Sequence, residues 1–238
     1  KNKEADVTPS ATASLPLRAA GSISLSANVD IQLNGGDLII WSDADNNGSG
    51  FINADVTTVL NTVNGATNAI TGGGDIYLAG GLDTNGDGLP DGLARSVAGL
   101  NNGDAIQLGL NNTANAFAAY SGGGDIVIRG ESSRRIAVNI MGQATIKAGN
   151  GRIIVQANST STTNLDGANS HAFENISFAG SPSLFESYSS HSQAISIIGL
   201  STGTNDDSAG VSFLGGSSVT DMVISSKGCL LYTSDAAD

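Results

Sequence analysis

Four oxygen-bearing side chains crowd into one short stretch of this chain. Asp83, Asn85 and Asp87 alternate, Gly88 follows at the sixth place of the run, and Asp91 stands at the ninth. Alternate carboxylate and amide oxygens, with a glycine where the backbone turns, form the front half of a helix–loop–helix calcium loop. A hard divalent cation wants several oxygens, and this spacing lets the backbone curl them around one point. The place that should carry the closing bidentate Glu is Ala94. A second run keeps Asp43, Asp45, Asn47 and Gly48, and Ala54 occupies its closing place. Two readings stand for each loop: a weak Ca2+ site completed by water, or a solvated Asp/Asn/Gly turn without metal. No cofactor is required by any other residue pattern.

Catalytic constellations are not expected. His171 and His191 lie in polar stretches without the spacing of a zinc pair. Its one cysteine, Cys229, has no catalytic setting. Arg134 and Arg135 are adjacent; in a strand they would point to opposite faces, so they read as a solvated pair. The glycine runs precede apolar strands and carry no Lys, which excludes a phosphate cradle.

The acidic loops must be held by the elements around them, and those elements repeat. GGDLII at 35–40, GGGDIYL at 72–78 and GGGDIVIRG at 122–130 each place glycines and an Asp before a short apolar strand. GNGRIIVQA at 149–157 is a weaker copy. Around them, apolar residues alternate with polar ones: Ile23 and Leu25, Ile31 and Leu33, Leu38 and Ile40, Ile136, Val138 and Ile140, Ile153 and Val155. Period-two alternation with Asn/Gly/Asp punctuation predicts short half-buried strands. Three such strands in about twenty residues suit one turn of a solenoid. The glycines are expected at corners, where φ > 0 is needed. Residues 51–70 have helical spacing at Val56, Val59, Leu60 and Val63 but many β-branched side chains, and strand is expected there. The Asp37–Asp75 and Asp75–Asp125 intervals differ, which a β-helix tolerates because extra residues go into its turns.

Composition limits the partners. The formal net charge is −12, with only 10 Lys plus Arg among 238 residues, so no basic stripe exists to meet nucleic acid. No apolar run reaches membrane-spanning length, so no membrane insertion is expected in this segment. The chain opens at Lys1 without a leader pattern and reads as an internal fragment. Its expected organisation is a polar lead-in over 1–20, a β-helix over 21–228 and a distinct tail over 229–238.

The GGDLIIWSDADNNGSGFI, GGGDIYLAGGLDTNGDGLPDGLA and GGGDIVIRG segments resemble the repeat units of large bacterial adhesins of the filamentous haemagglutinin kind, exported by two-partner secretion or as autotransporters. The resemblance covers residues 21–157 well and the rest in general style. It implies an all-β, right-handed parallel β-helix with protruding polar loops, extracellular or cell-surface placement, and adhesion without catalysis. It also implies a host-cell or matrix glycan or protein as partner, and an outer-membrane secretion partner for the longer protein. The acidic loop also resembles the DxDGDGxPDG-type repeats of thrombospondin-like and bacterial surface proteins, which lack the closing Glu. The tail CLLYTSDAAD is similar to a translated sequencing-library adapter. Two rivals remain: a β-helical lyase or hydrolase acting on polysaccharide, and a calcium-stabilised extracellular module. The position of Asp37, Asp75 and Asp125 discriminates. A ladder at the corners marks them as structural; convergence with Arg129, Arg134 or Arg135 in one cleft would favour the enzyme.

Overall fold

A computed structural model describes residues 12–66, 68–96, 103–109, 117–160, 171–177, 182–202, 209–215 and 222–236. Among them the regular structure is almost entirely strand, β1 to β20 in chain order, arranged as three sheets in which every strand pair is parallel. The first sheet orders β1 (Leu15–Arg18), β4 (Leu38–Ser42), β7 (Ile76–Gly80), β11 (Ile126–Ser132), β14 (Ile153–Ser159), β17 (Ile195–Ser201) and β20 (Leu230–Ala236), with β8 (Ala94–Ser96) also on β11. The second orders β2 (Ile23–Leu25), β5 (Ile52–Ala54), β9 (Ile106–Leu108), β12 (Val138–Met141), β15 (Phe173–Ser177) and β18 (Val211–Gly215). The third orders β3 (Asp30–Gln32), β6 (Val59–Asn61), β10 (Ala118–Tyr120), β13 (Thr145–Gly149), β16 (Leu184–Ser187) and β19 (Val223–Ser226). Each coil contributes one strand to each sheet in turn, which is a parallel β-helix. No helix among the described residues is long and apolar enough to cross a membrane.

The alternation read from the sequence is the cause of this architecture. Leu38, Ile40, Ile76, Leu78, Ile126, Ile128, Ile153 and Val155 from the first sheet are at most 1% exposed. They share one core with Ile52, Ile106 and Val138 of the second sheet and Ile31, Leu60 and Ile146 of the third. Each such side chain stabilises the fold by about 1.5–3 kcal/mol on burial. Of residues 51–70, expected as strand, β5 and β6 are strand, separated by a turn in which Thr57 has φ +57°, while the described residues from 62 to 70 are turn and loop. Packing on neighbouring coils overrides the local helical spacing.

Two boundaries differ from expectation. β1 lies inside the segment expected as a polar lead-in and pairs with β4 over its full length, so the solenoid begins before residue 21. β20 lies inside the tail and pairs with β17 from Leu230 to Ala236.

The corner glycines meet two separate demands. Gly35, Gly72 and Gly122 have φ of +89°, +83° and +57°, as turning a corner requires. Gly74 and Gly124 do not. A Cβ on Gly124 would overlap the Gly74 carbonyl, and one on Gly74 would overlap the Gly36 carbonyl. These glycines stack coil upon coil, and close backbone approach is what excludes a side chain there.

Candidate functional site

Both acidic loops leave the first sheet at the ends of neighbouring rungs. β11 pairs with β7 through Ile126–Ile128 and with β8 through Gly130–Ser132. The loop carrying Asp83, Asn85, Asp87 and Asp91 is therefore an insertion within one rung, after which the strand resumes. An antiparallel bridge between Gly80 and Gly92 closes its neck. Leu89 folds back, as Tyr77 does, against the cluster of Ile39, Trp41 and Ala44. The Trp41 indole donates to the Gly81 carbonyl at 2.6 Å, and Arg18 stacks over the same ring.

Inside this loop the carboxylates accept backbone N–H groups. Asp83 takes Gly86 at 2.6 Å and Gly88 at 2.9 Å, and Asp87 takes Leu89 at 2.9 Å. Asp91 takes the Thr84 N–H at 2.7 Å and hydroxyl at 2.6 Å, bonds that hold its carboxyl below the ordinary carboxylate range. The Asn85 amide oxygen accepts the Asp87 N–H at 2.9 Å.

The loop at 43–50 is tied to its neighbour. Asp43 is fully buried with φ +49°, and its Oδ1 accepts the Gly48 and Ser49 N–H groups. Its Oδ2 is buried without a hydrogen bond, and Arg95 lies 3.9 Å away. Arg95 also donates to Asn46 at 3.1 Å and faces Glu131 at 3.3 Å, its partner in register across β8 and β11. Asp45 and Asn47 are joined to each other by an exposed turn, with the Asn47 amide donating to Asp45 at 3.0 Å.

The missing closing ligands now have a physical reason. Ala94 and Ala54, the residues at both closing places, are at most 1% exposed and belong to the hydrophobic core. A carboxylate there would be buried among aliphatic side chains, which is prohibitive without a partner. Closure in the helix–loop–helix manner is thus excluded by the strand register. Among the described residues no group of three or more His, Cys, Asp or Glu side chains is arranged to hold a metal ion.

Asp37, Asp75 and Asp125 form a ladder at the corner that precedes the first sheet. The Asp75 N–H donates to Asp37 Oδ1 at 2.9 Å, and the Asp125 N–H donates to Asp75 Oδ1 at 2.7 Å. The Arg152 N–H continues the series to Asp125 Oδ1 at 2.7 Å. At that rung the Asp is replaced by Arg, whose guanidinium binds Asp125 Oδ2 at 2.9 and 2.5 Å and is itself held more firmly protonated by it. Stacked carboxylates repel one another. Burial raises the Asp75 carboxyl, the Asp125 N–H opposes that rise, and the charges of Asp125 and Asp37 add to it. Burial, with the Asp75 and Asp125 charges, pushes the Tyr77 phenol up to about 12, and Arg129 partly offsets this.

A further polar cluster was not anticipated from the sequence. Asp104, Asn139, Glu174 and His171 are all at most 6% exposed, beside the second sheet. Asn139 donates to Asp104 at 2.8 Å, Arg135 lies 3.6 Å from the same carboxylate, and His171 Nδ1 meets Glu174 Oε2 at 2.5 Å. Burial drives the Asp104 carboxyl up to about 6, against the pull of Arg135 and Asn139. Arg135 is therefore an ion-pairing group and not simply solvated. Both Arg134 and Arg135 lie in the turn after β11, where their N–H groups share Ser132 Oγ. His171 is buried rather than loop-exposed; His191, by contrast, is exposed. The only sequence signal was polar residues alternating with Ile136, Val138 and Ile140, which looks the same whether that face is solvated or covered.

Fold and site thus define a parallel β-helix with acidic surface loops. No protein-family model, curated protein or solved structure matches the chain.

Proposed function

We propose that this chain is a shaft and adhesion segment of a secreted bacterial surface protein of the filamentous haemagglutinin kind, without catalysis. The observation that carries the reading is the corner ladder. The repeated acids accept the N–H groups of the next coil, so their chemistry is used within the shaft. A continuous aliphatic core and strands bonded on both sides make a stiff rod suited to holding binding regions away from a cell. In this reading the protein acts outside the cell. It meets a host-cell or matrix glycan or protein, and its longer form is exported with an outer-membrane partner. The tail at 229–238 is adapter-derived in origin.

The rival, a polysaccharide-acting enzyme, places the ladder acids with Arg152 and Arg129 in catalysis. The test is incubation of the full chain with neutral and uronate-containing polysaccharides, assayed for new reducing ends and for unsaturated uronates, alongside small-angle scattering. The shaft reading expects rod-like scattering and no cleavage. Cleavage that is lost in Asp125→Asn would overturn it.

A calcium-stabilised module is the second reading. The observation that favours it is the buried Oδ2 of Asp43 at the base of one acidic loop, which accepts no hydrogen bond and has only the Arg95 guanidinium 3.9 Å away. In that reading water completes the shell that Ala54 and Ala94 leave open.

A further inference from the structure

The outer face of the third sheet carries a cleft of about 420 Å³, within the size range of small-ligand sites. Its floor is Lys147 on β13 and Glu186 on β16, paired at 3.4 Å and still 31% and 19% exposed. One wall is the segment carrying Asn68 and Ile70, and the other is Tyr188. Ile70 and Tyr188 are 44% and 40% exposed, so two large apolar surfaces flank an ion pair in the open.

The cleft is preformed. The Asn150 N–H donates to the Ile70 carbonyl at 2.8 Å, and the Tyr188 N–H donates to the Gly149 carbonyl at 2.6 Å. Gly149 has φ +60°, and a Cβ there would stand 2.8 Å from the Ile70 backbone. Glycine at this position is what lets the wall close onto the sheet.

The chemistry selects a ligand class. Lys147 is neutralised by Glu186, so the floor attracts neither anions nor cations as such. Strand addition by a peptide needs a free sheet edge, and β13 and β16 are each bonded on both sides. The fitting ligand has one apolar face and one edge of paired donors and acceptors. A saccharide ring has both, with C–H groups for an aromatic face and vicinal hydroxyls for a carboxylate and an ammonium.

We propose that this cleft binds a neutral saccharide, with Tyr188 against the ring, Lys147 and Glu186 on adjacent hydroxyls and Asn68 at the rim. The inference rests on the glycan partner of the adhesion reading and deepens it; a chain that binds no saccharide here can still be a shaft. The experiment is an array of neutral, sialylated and sulfated glycans probed with the full chain, then calorimetric titration of the best neutral oligosaccharide. Wild type is compared with Tyr188→Ala, Tyr188→Phe, Glu186→Gln and the remote Asp83→Ala, each checked by circular dichroism. The expected result is retention of neutral glycans. Tyr188→Ala and Glu186→Gln should each weaken binding by about tenfold or more, while Tyr188→Phe retains most of the affinity and Asp83→Ala all of it. No glycan retained, preference for sulfated glycans, or affinity that survives Tyr188→Ala in a folded variant overturns the proposal.

Discussion

Replacing Asp75 separates the two properties of the corner ladder, an acceptor oxygen and a charge. Its Oδ1 accepts the Asp125 N–H at 2.7 Å. Asp75→Ala removes that acceptor and leaves the N–H of a half-buried corner unpaired, a cost of about 1–3 kcal/mol. For a chain of this size about 1 kcal/mol corresponds to roughly 2–4 °C in Tm, so a cost of about 2 kcal/mol lowers Tm by about 4–8 °C. Asp75→Asn keeps Oδ1 and discards the charge. Burial, then the charges of Asp125 and Asp37, raise the Asp75 carboxyl in the folded state. A carboxyl raised on folding binds its proton more tightly in the fold, so ionising it as pH rises above about 4 removes stability. The Asn variant escapes that loss. It should melt at or above wild type near neutral pH, with the margin shrinking toward about pH 4. Thermal melts followed by circular dichroism across that range measure both effects. If Asp75→Asn falls as far as Asp75→Ala, the charge matters and not the acceptor. If Asp75→Ala melts with wild type, the corner bond contributes nothing. Either result refutes the ladder argument.

Asp104 gives a second pH effect: with its carboxyl at about 6 in the fold against 3.8, wild-type stability should decline between those values by about 3 kcal/mol. Urea titrations at a series of pH values should show that decline flattened in Asp104→Asn. Gly124→Ala places a methyl inside the Gly74 carbonyl and should cost about 1–3 kcal/mol or more in denaturant titration; a neutral result would mean the coils can shift apart freely. On the calcium-stabilised reading, millimolar calcium stabilises wild type by only about 0.4–1.4 kcal/mol, since weak extracellular-type sites bind at about 10⁻⁴–10⁻³ M. Calorimetric titration of Asp83→Ala/Asp87→Ala should then lose the heat; identical isotherms would make the loop an ordinary turn.

The strands and their coil-to-coil equivalence were legible in the residues alone. Alternating Ile, Leu and Val between glycine punctuation has only one good solution when both neighbours of a strand are similar strands. That is why GGDLII, GGGDIYL and GGGDIVI became β4, β7 and β11 in register. The unequal intervals of 38 and 50 residues between ladder acids did not disturb it. The surface was less legible, because an acid looks the same in a sequence whether it faces water, metal or backbone. Only the stacking of coils turned Asp37, Asp75 and Asp125 into acceptors for the next rung and made Gly74 and Gly124 glycines of close approach. Only the register put Ala54 and Ala94 in the core, where a closing Glu could not be accommodated. Asp104, Asn139 and the His171–Glu174 pair come from three coils, and their burial depends on what covers a sheet face. Local sequence specifies how a strand alternates. Which of its two faces is dry, and which distant side chains meet there, is decided by the coils packed around it.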